Sequence, residues 1–141
     1  MADTRNVFTY GSLMFPVVWN HVVLDHYRSS EASIHGFRRL RIRGEQYPAL
    51  IINPNAGSLT GRVYFDVSTS DIARLDHFET SDYARVSIAV TIAGKALAAD
   101  AYLTLKPEAL DPQQWGPETF ARDGLESFLT TYAATNAPPK K

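Results

Sequence analysis

Between Ala84 and Leu105 apolar residues fall at every second position on both sides of one short turn. Ala84, Val86, Ile88, Val90 and Ile92 make one face, Ala93-Gly94-Lys95 reverses the chain, and Leu97, Ala99, Ala101, Leu103 and Leu105 answer it. Side chains alternate across a strand with a period of two, so this pattern predicts a β-hairpin with one face buried. Leu59, Gly61, Val63, Phe65 and Val67 repeat the alternation, with Thr60, Arg62, Tyr64 and Asp66 between them. Shorter strands are predicted at Val7–Tyr10, stopped by Gly11-Ser12, and at Pro48–Ile52, closed by Asn53-Pro54-Asn55-Ala56-Gly57. Residues 33–43 read as one extended run, in which Leu40 and Ile42 alternate with Arg39, Arg41 and Arg43.

Helical signals are fewer. Pro16 opens a helix running to about Asp25, with Val18, Val22 and His26 at helical spacing. Ser68-Thr69-Ser70-Asp71 supplies N-cap residues for a helix from Asp71 to about Phe78, with the stripe Ile72, Leu75 and Phe78. Residues 107–116 read as irregular. Pro117 starts a closing helix lined by Phe120, Leu125, Phe128, Leu129 and Tyr132. With no repeat and no linker in 141 residues, these elements predict a single α+β domain. Its sheet is largely antiparallel and curled toward a barrel, with a few peripheral helices. Residues 1 to about 5 and about 134–141 are expected to be flexible ends, the latter because Ala, Thr, Asn, Pro and Lys bury little.

Composition removes whole classes of chemistry. Cysteine is absent, which excludes disulfides, a thiolate nucleophile and cysteine-held metal. Lys+Arg 14 against Asp+Glu 15 leaves a formal net charge of −1, so no global field draws in nucleic acid or an anionic membrane. The polar start Met1–Asn6 has neither the basic region nor the apolar run of a secretory signal, and the expected location is cytoplasmic. No phosphate loop, dinucleotide fingerprint, nucleophile elbow or His-Glu-x-x-His motif is present. His21, His26, His35 and His77 lack ligand spacing, so neither metal nor cofactor is expected.

Three segments carry candidate chemistry. In Phe8-Thr9-Tyr10-Gly11-Ser12-Leu13-Met14 a strand breaks at Gly-Ser, where successive N–H groups can meet an anionic oxygen; an ordinary strand–loop–helix connection has the same spacing. Glu79 lies one residue beyond the apolar stripe, between Phe78 and Tyr83, where a carboxylate can be partly desolvated and act as a base. A solvated helix-end glutamate fits that spacing too, and Asp76 and Asp82 compete for the role. Arg38 to Arg43 forms either a solvated strand face, a clamp for a substrate carboxylate or a weak nucleic-acid stripe.

Taken in order, Tyr10-Gly11-Ser12-Leu13, Tyr47-Pro48-Ala49, Gly61-Arg62-Val63-Tyr64, Leu75-Asp76-x-Phe78-Glu79 and Tyr83-x-Arg85 resemble the gamma-glutamylcyclotransferase-like, or AIG2-like, family over about residues 5–130. The resemblance implies a curled antiparallel sheet with a cavity at one mouth. It also implies a reaction in which a γ-glutamyl group closes on itself, giving 5-oxoproline and a free amino acid or amine. The Tyr-Gly-Ser-Leu loop would hold the glutamyl part and Glu79 would be the general base. Such chemistry suits a chain without a nucleophile or metal, because the substrate's own α-amine attacks and ring closure is intramolecular. The protein must then accept a proton and stabilise charge on the γ-carbonyl oxygen, the second task falling to the N–H groups of Gly11, Ser12 and Leu13. Tyr10, Tyr47 and Tyr83 would line the pocket, and Arg43 or Arg85 would meet a carboxylate unless it is an exposed or cross-strand arginine. The alternative on the same fold is a non-catalytic module that binds a small acidic metabolite. The leaving group depends on loops such as 53–59 and 107–116.

Overall fold

The structure, a computed structural model, describes residues 4–42, 48–105, 110–114 and 121. The proposed closing helix, Tyr47 and Arg43 lie outside the described residues. Element order is β1 (Thr4–Thr9), α1 (Pro16–Val22), β2 (Ser29–His35), β3 (Phe37–Ile42), β4 (Pro48–Ile52), β5 (Ser58–Ser68), α2 (Thr69–Glu79), β6 (Tyr83–Ile92), β7 (Lys95–Thr104) and β8 (Leu110–Gln114). Strands β1-β5-β2-β6-β7 close into a barrel, and β4-β3-β8 form a second sheet. Neighbouring strands pair antiparallel except β1 with β7, which meet in parallel at Val7 and Asp100.

The β6–β7 hairpin has the register its alternation predicts. Ala84 faces Leu103, Val86 faces Ala101, Ile88 faces Ala99 and Val90 faces Leu97. Ala99, Ala101 and Val90 fill the barrel with Phe8, Ala32, Ile34 and Val63, so burial of this apolar set fixes the pairing. Gly61 belongs to the same layer for a steric reason. A Cβ there would lie 2.2 Å from the Thr9 carbonyl oxygen and 2.6 Å from the Phe8 ring. A second core lies outside the barrel wall, where Val18, Trp19 and Val22 of α1 and Ile72 and Leu75 of α2 meet Val7, Tyr64, Val67 and Tyr102. Trp19 stacks on Tyr64 at 3.7 Å, with the two rings 3° from parallel.

Three expectations change. The extended run 33–43 is two strands in different sheets, hinged at Gly36, whose φ of 83° suits a residue without Cβ. Helix α1 stops at Val22 rather than near Asp25, because the Leu24 and Asp25 amides turn away to the Asp71 carboxylate at 3.0 and 3.1 Å. Within 107–116, where no regular element was expected, residues 110–114 form β8. Its pairing with β3, Ile42 to Leu110 and Leu40 to Gln114, is a long-range contact that local sequence does not announce.

Candidate active site

The loop that follows β1 is held from several sides. Tyr10 is buried; its hydroxyl donates to the Tyr102 carbonyl at 2.5 Å and accepts from the Leu50 amide. Its own carbonyl accepts from Arg39 Nη1 at 3.0 Å, so one arginine of the Arg38–Arg43 run secures this loop. Gly11 packs on Pro48, where a Cβ would sit 2.8 Å from two ring carbons; only glycine allows so close an approach. Ser12–Met14 is a single 3-10 turn, closed by the Met14 amide on the Gly11 carbonyl at 3.0 Å and the Phe15 amide on the Ser12 carbonyl at 3.1 Å. Among the described residues, the N–H groups of Gly11, Ser12 and Leu13 have no acceptor. The Leu13 carbonyl accepts from the Tyr64 hydroxyl at 3.4 Å, which ties the loop to the Trp19 stack.

The second candidate group lies at the end of α2. The helix begins where the sequence supplies a cap, with Ser68 Oγ accepting from the Asp71 amide at 3.2 Å, and Glu79 is its last residue. Glu79 is half-buried. Burial first, and the neighbouring Asp76 carboxylate second, push its carboxyl up to about 8. Its charge bears on the hydroxyls of both Tyr10 and Tyr102. Burial and this carboxyl drive the Tyr10 phenol well above its ordinary range; burial and Asp76 do the same for Tyr102. Both phenols therefore stay protonated donors. Tyr83, at the start of β6, donates to the Pro48 carbonyl at 3.4 Å and closes the same corner.

The competing carboxylates are differently placed. Asp76 Oδ1 accepts from the Tyr102 hydroxyl at 2.6 Å and from Arg85 Nε at 2.9 Å, and its Oδ2 from Arg85 Nη2 at 3.3 Å. Asp82 is exposed. Of the three acids that spacing left open, Glu79 is the least exposed. Arg85 takes the cross-strand arrangement: beyond Asp76, its Nη1 donates to Asp100 at 2.7 Å, and Arg5 reaches the other Asp100 oxygen at 3.5 Å. Glu79 thus bears on Tyr10, which leads into the glycine turn, Tyr83 bonds to the Pro48 on which Gly11 packs, and Arg85 pairs with Asp76 and Asp100.

Sequence reasoning missed Tyr102, Asp100 and Arg39. Asp100 carried a signal, since a carboxylate inside the apolar stretch 96–105 must find a cation once buried. Among the described residues no His, Asp and Glu side chains group as metal ligands, and no helix is long and apolar enough to cross a membrane.

A closed five-stranded barrel with a three-stranded second sheet defines the class of fold. Residues 7–119 match the family described as "Gamma-glutamyl cyclotransferase, AIG2-like". The chain belongs to that family. Protein AIG2 C of Arabidopsis thaliana is 30% identical over 136 residues, covering 92% of this chain and 80% of the relative. AIG2-like protein A of the same plant is 31% identical, covering 91% and 79%. A solution structure from Arabidopsis thaliana superposes with TM-score 0.71 at 25% identity, covering 96% of this chain and 84% of that one. A solved gamma-glutamyl cyclotransferase, 15% identical, shares the fold at TM-score 0.63, covering 99% and 90%.

Proposed function

We propose that this protein is a cyclotransferase acting on a γ-glutamyl amino acid or γ-glutamyl amine, with Glu79 as general base. The observation that carries the reading is the Glu79 carboxyl, raised to about 8 and set against the Tyr10 and Tyr102 hydroxyls. A base is most effective when its pKa lies near the working pH, and an ordinary glutamate is too acidic to take a proton from an ammonium. The substrate's α-ammonium gives a proton to Glu79. The freed amine attacks the γ-carbonyl carbon, and Glu79 passes the first proton to the departing nitrogen as its bond to that carbon breaks; the ring nitrogen then sheds its second proton by the same route, so the amine leaves as an ammonium and Glu79 ends as the carboxylate. The products are 5-oxoproline and a free amine. Charge on the γ-carbonyl oxygen is met by the Gly11, Ser12 and Leu13 N–H groups, which the 3-10 turn leaves without acceptors among the described residues. Ser12 supplies a further donor and is not the nucleophile. Tyr10 and Tyr83 wall the pocket, and Tyr47 and Arg43 are proposed to complete its rim.

Incubation with γ-glutamyl amino acids, γ-glutamyl amines and ε-(γ-glutamyl)lysine, with 5-oxoproline measured directly, tests this reading. Release from at least one of them is expected. Calorimetric binding with no turnover on any of them would instead establish a binding module.

A further inference from the structure

Asp76 and Glu79 lie three residues apart and share one face of α2's last turn. Asp76 is the better connected of the two. Its carboxylate receives the Arg85 guanidinium edge-on, at 2.9 and 3.3 Å, and the Tyr102 hydroxyl at 2.6 Å. Its backbone carbonyl receives the Thr80 amide at 3.0 Å, closing the helix immediately after Glu79. Tyr102 then connects onward, because its carbonyl accepts the Tyr10 hydroxyl, and Tyr10 begins the glycine loop. Arg85 connects the other way, through Asp100 to Arg5 of β1. One continuous chain of hydrogen bonds thus joins β1, β6, β7 and the glycine loop to the turn that carries Glu79.

We propose that Asp76, clamped between Arg85 and Tyr102, is the positioning residue for Glu79. It touches no reacting atom. It fixes the last helical turn relative to the glycine loop, and its negative charge opposes ionisation of its neighbour. The groups facing Glu79 are Asp76 on its own helix, the Tyr10 hydroxyl beyond β1 and the Tyr102 hydroxyl on β7, with Tyr83 and Arg85 on β6 and Asp100 on β7 behind them. After burial, Asp76 is the group that raises Glu79, and Arg85 is paired with Asp76 itself. This inference deepens the cyclotransferase reading and rests on it for Glu79's role, but its test does not require turnover.

The experiment is a carbon-13 NMR titration of the Glu79 carboxyl in the full chain, assigned by its disappearance in Glu79→Gln. Asp76→Asn keeps an oxygen to accept from Arg85 and Tyr102 while removing the charge. Its Glu79 midpoint is expected to fall by about 1 unit or more, the usual size of a like-charge effect at this range. An unchanged midpoint in folded Asp76→Asn would overturn the proposal, since a purely structural aspartate would leave it in place. Should Asp76→Asn not fold, Arg85→Met removes the cation paired with Asp76 and leaves that charge unneutralised three residues from Glu79, so the Glu79 midpoint should rise; a fall or no movement would overturn the proposal. Wild-type protein that titrates as expected yet releases no 5-oxoproline would sink the cyclotransferase reading and leave the positioning result standing.

Discussion

The two ends of α2 bury acids of opposite character. At the first turn Asp71 is 1% exposed, yet the Leu24 and Asp25 amides, the Tyr27 hydroxyl at 2.7 Å and Arg74 at 2.8 Å all donate to it. Burial opposes its charge, but those four donors together hold its carboxyl below the usual range. At the last turn Glu79 is less buried but faces Asp76 and neutral phenols, and its carboxyl rises to about 8. Burial alone does not decide what an acid does; the donors aimed at it do. Asp71 has enough donors to remain an anion and hold a loop. Glu79 has its carboxyl raised instead, as the proposed general base requires.

Substitutions at the two ends should therefore fail in different ways. The largest effect is expected on turnover: Glu79→Gln keeps the shape of the side chain and should lower kcat by about 10² or more, the usual loss when a general base is removed. Steady-state 5-oxoproline release measures it, and near-wild-type turnover would take Glu79 out of the role. Asp71→Ala should act on stability instead. Removing an acceptor that four donors share is expected to cost about 3 kcal/mol and to lower Tm by roughly 10 °C. A thermal melt reads this directly, and a shift under about 2 °C would show that the 23–28 loop holds without its anchor.

Acid should separate the ends further. The Asp71 carboxyl is depressed in the folded state, so the stability it contributes is present above the unfolded value, about 3.9, and is lost as pH falls through the folded one. Glu79 has the opposite sign. Its folded carboxyl lies above the unfolded value, so its anion costs stability progressively as pH rises from about 4.5 to about 8. The Tm of Glu79→Gln minus that of the wild type should therefore increase across that window and level off above it. A constant difference would contradict the raised carboxyl.

The smallest expected effect belongs to the residue just after Glu79. Thr80 has φ 69° and ψ −177°, a region that residues with a Cβ rarely occupy. Thr80→Gly should relieve that strain, offset in part by the greater freedom of an unfolded glycine, for a net gain of about 1 kcal/mol seen as a higher Tm. A lower Tm would mean that the Thr80 hydroxyl, which accepts from the Asp82 amide at 3.3 Å, matters more than the backbone.

Much of the barrel was legible because burial of one face writes a period of two into the sequence. The β6–β7 register, the bounds of β4 and the Ser68 cap all follow from neighbours in the chain. What was not legible depends on partners far away in sequence. Nothing local says that residues 110–114 will pair with β3, or that Asp71 will draw the Leu24 and Asp25 amides out of α1. In the candidate site the glycine loop was visible as a broken strand, but spacing left Glu79, Asp76 and Asp82 level. Only the cross-strand contacts of Arg85 and Tyr102 separate Asp76 from Glu79, and Arg39 became part of the loop only once β3 lay beside Tyr10.

The most direct test of a proton-accepting Glu79 is the pH dependence of kcat/KM for 5-oxoproline release, measured in parallel for the wild type and Glu79→Gln. The wild-type value should climb as pH rises through about 8, and that limb should vanish from the residual activity of the variant. A wild-type profile already flat above pH 5, or the same limb in both proteins, would show that the proton goes elsewhere.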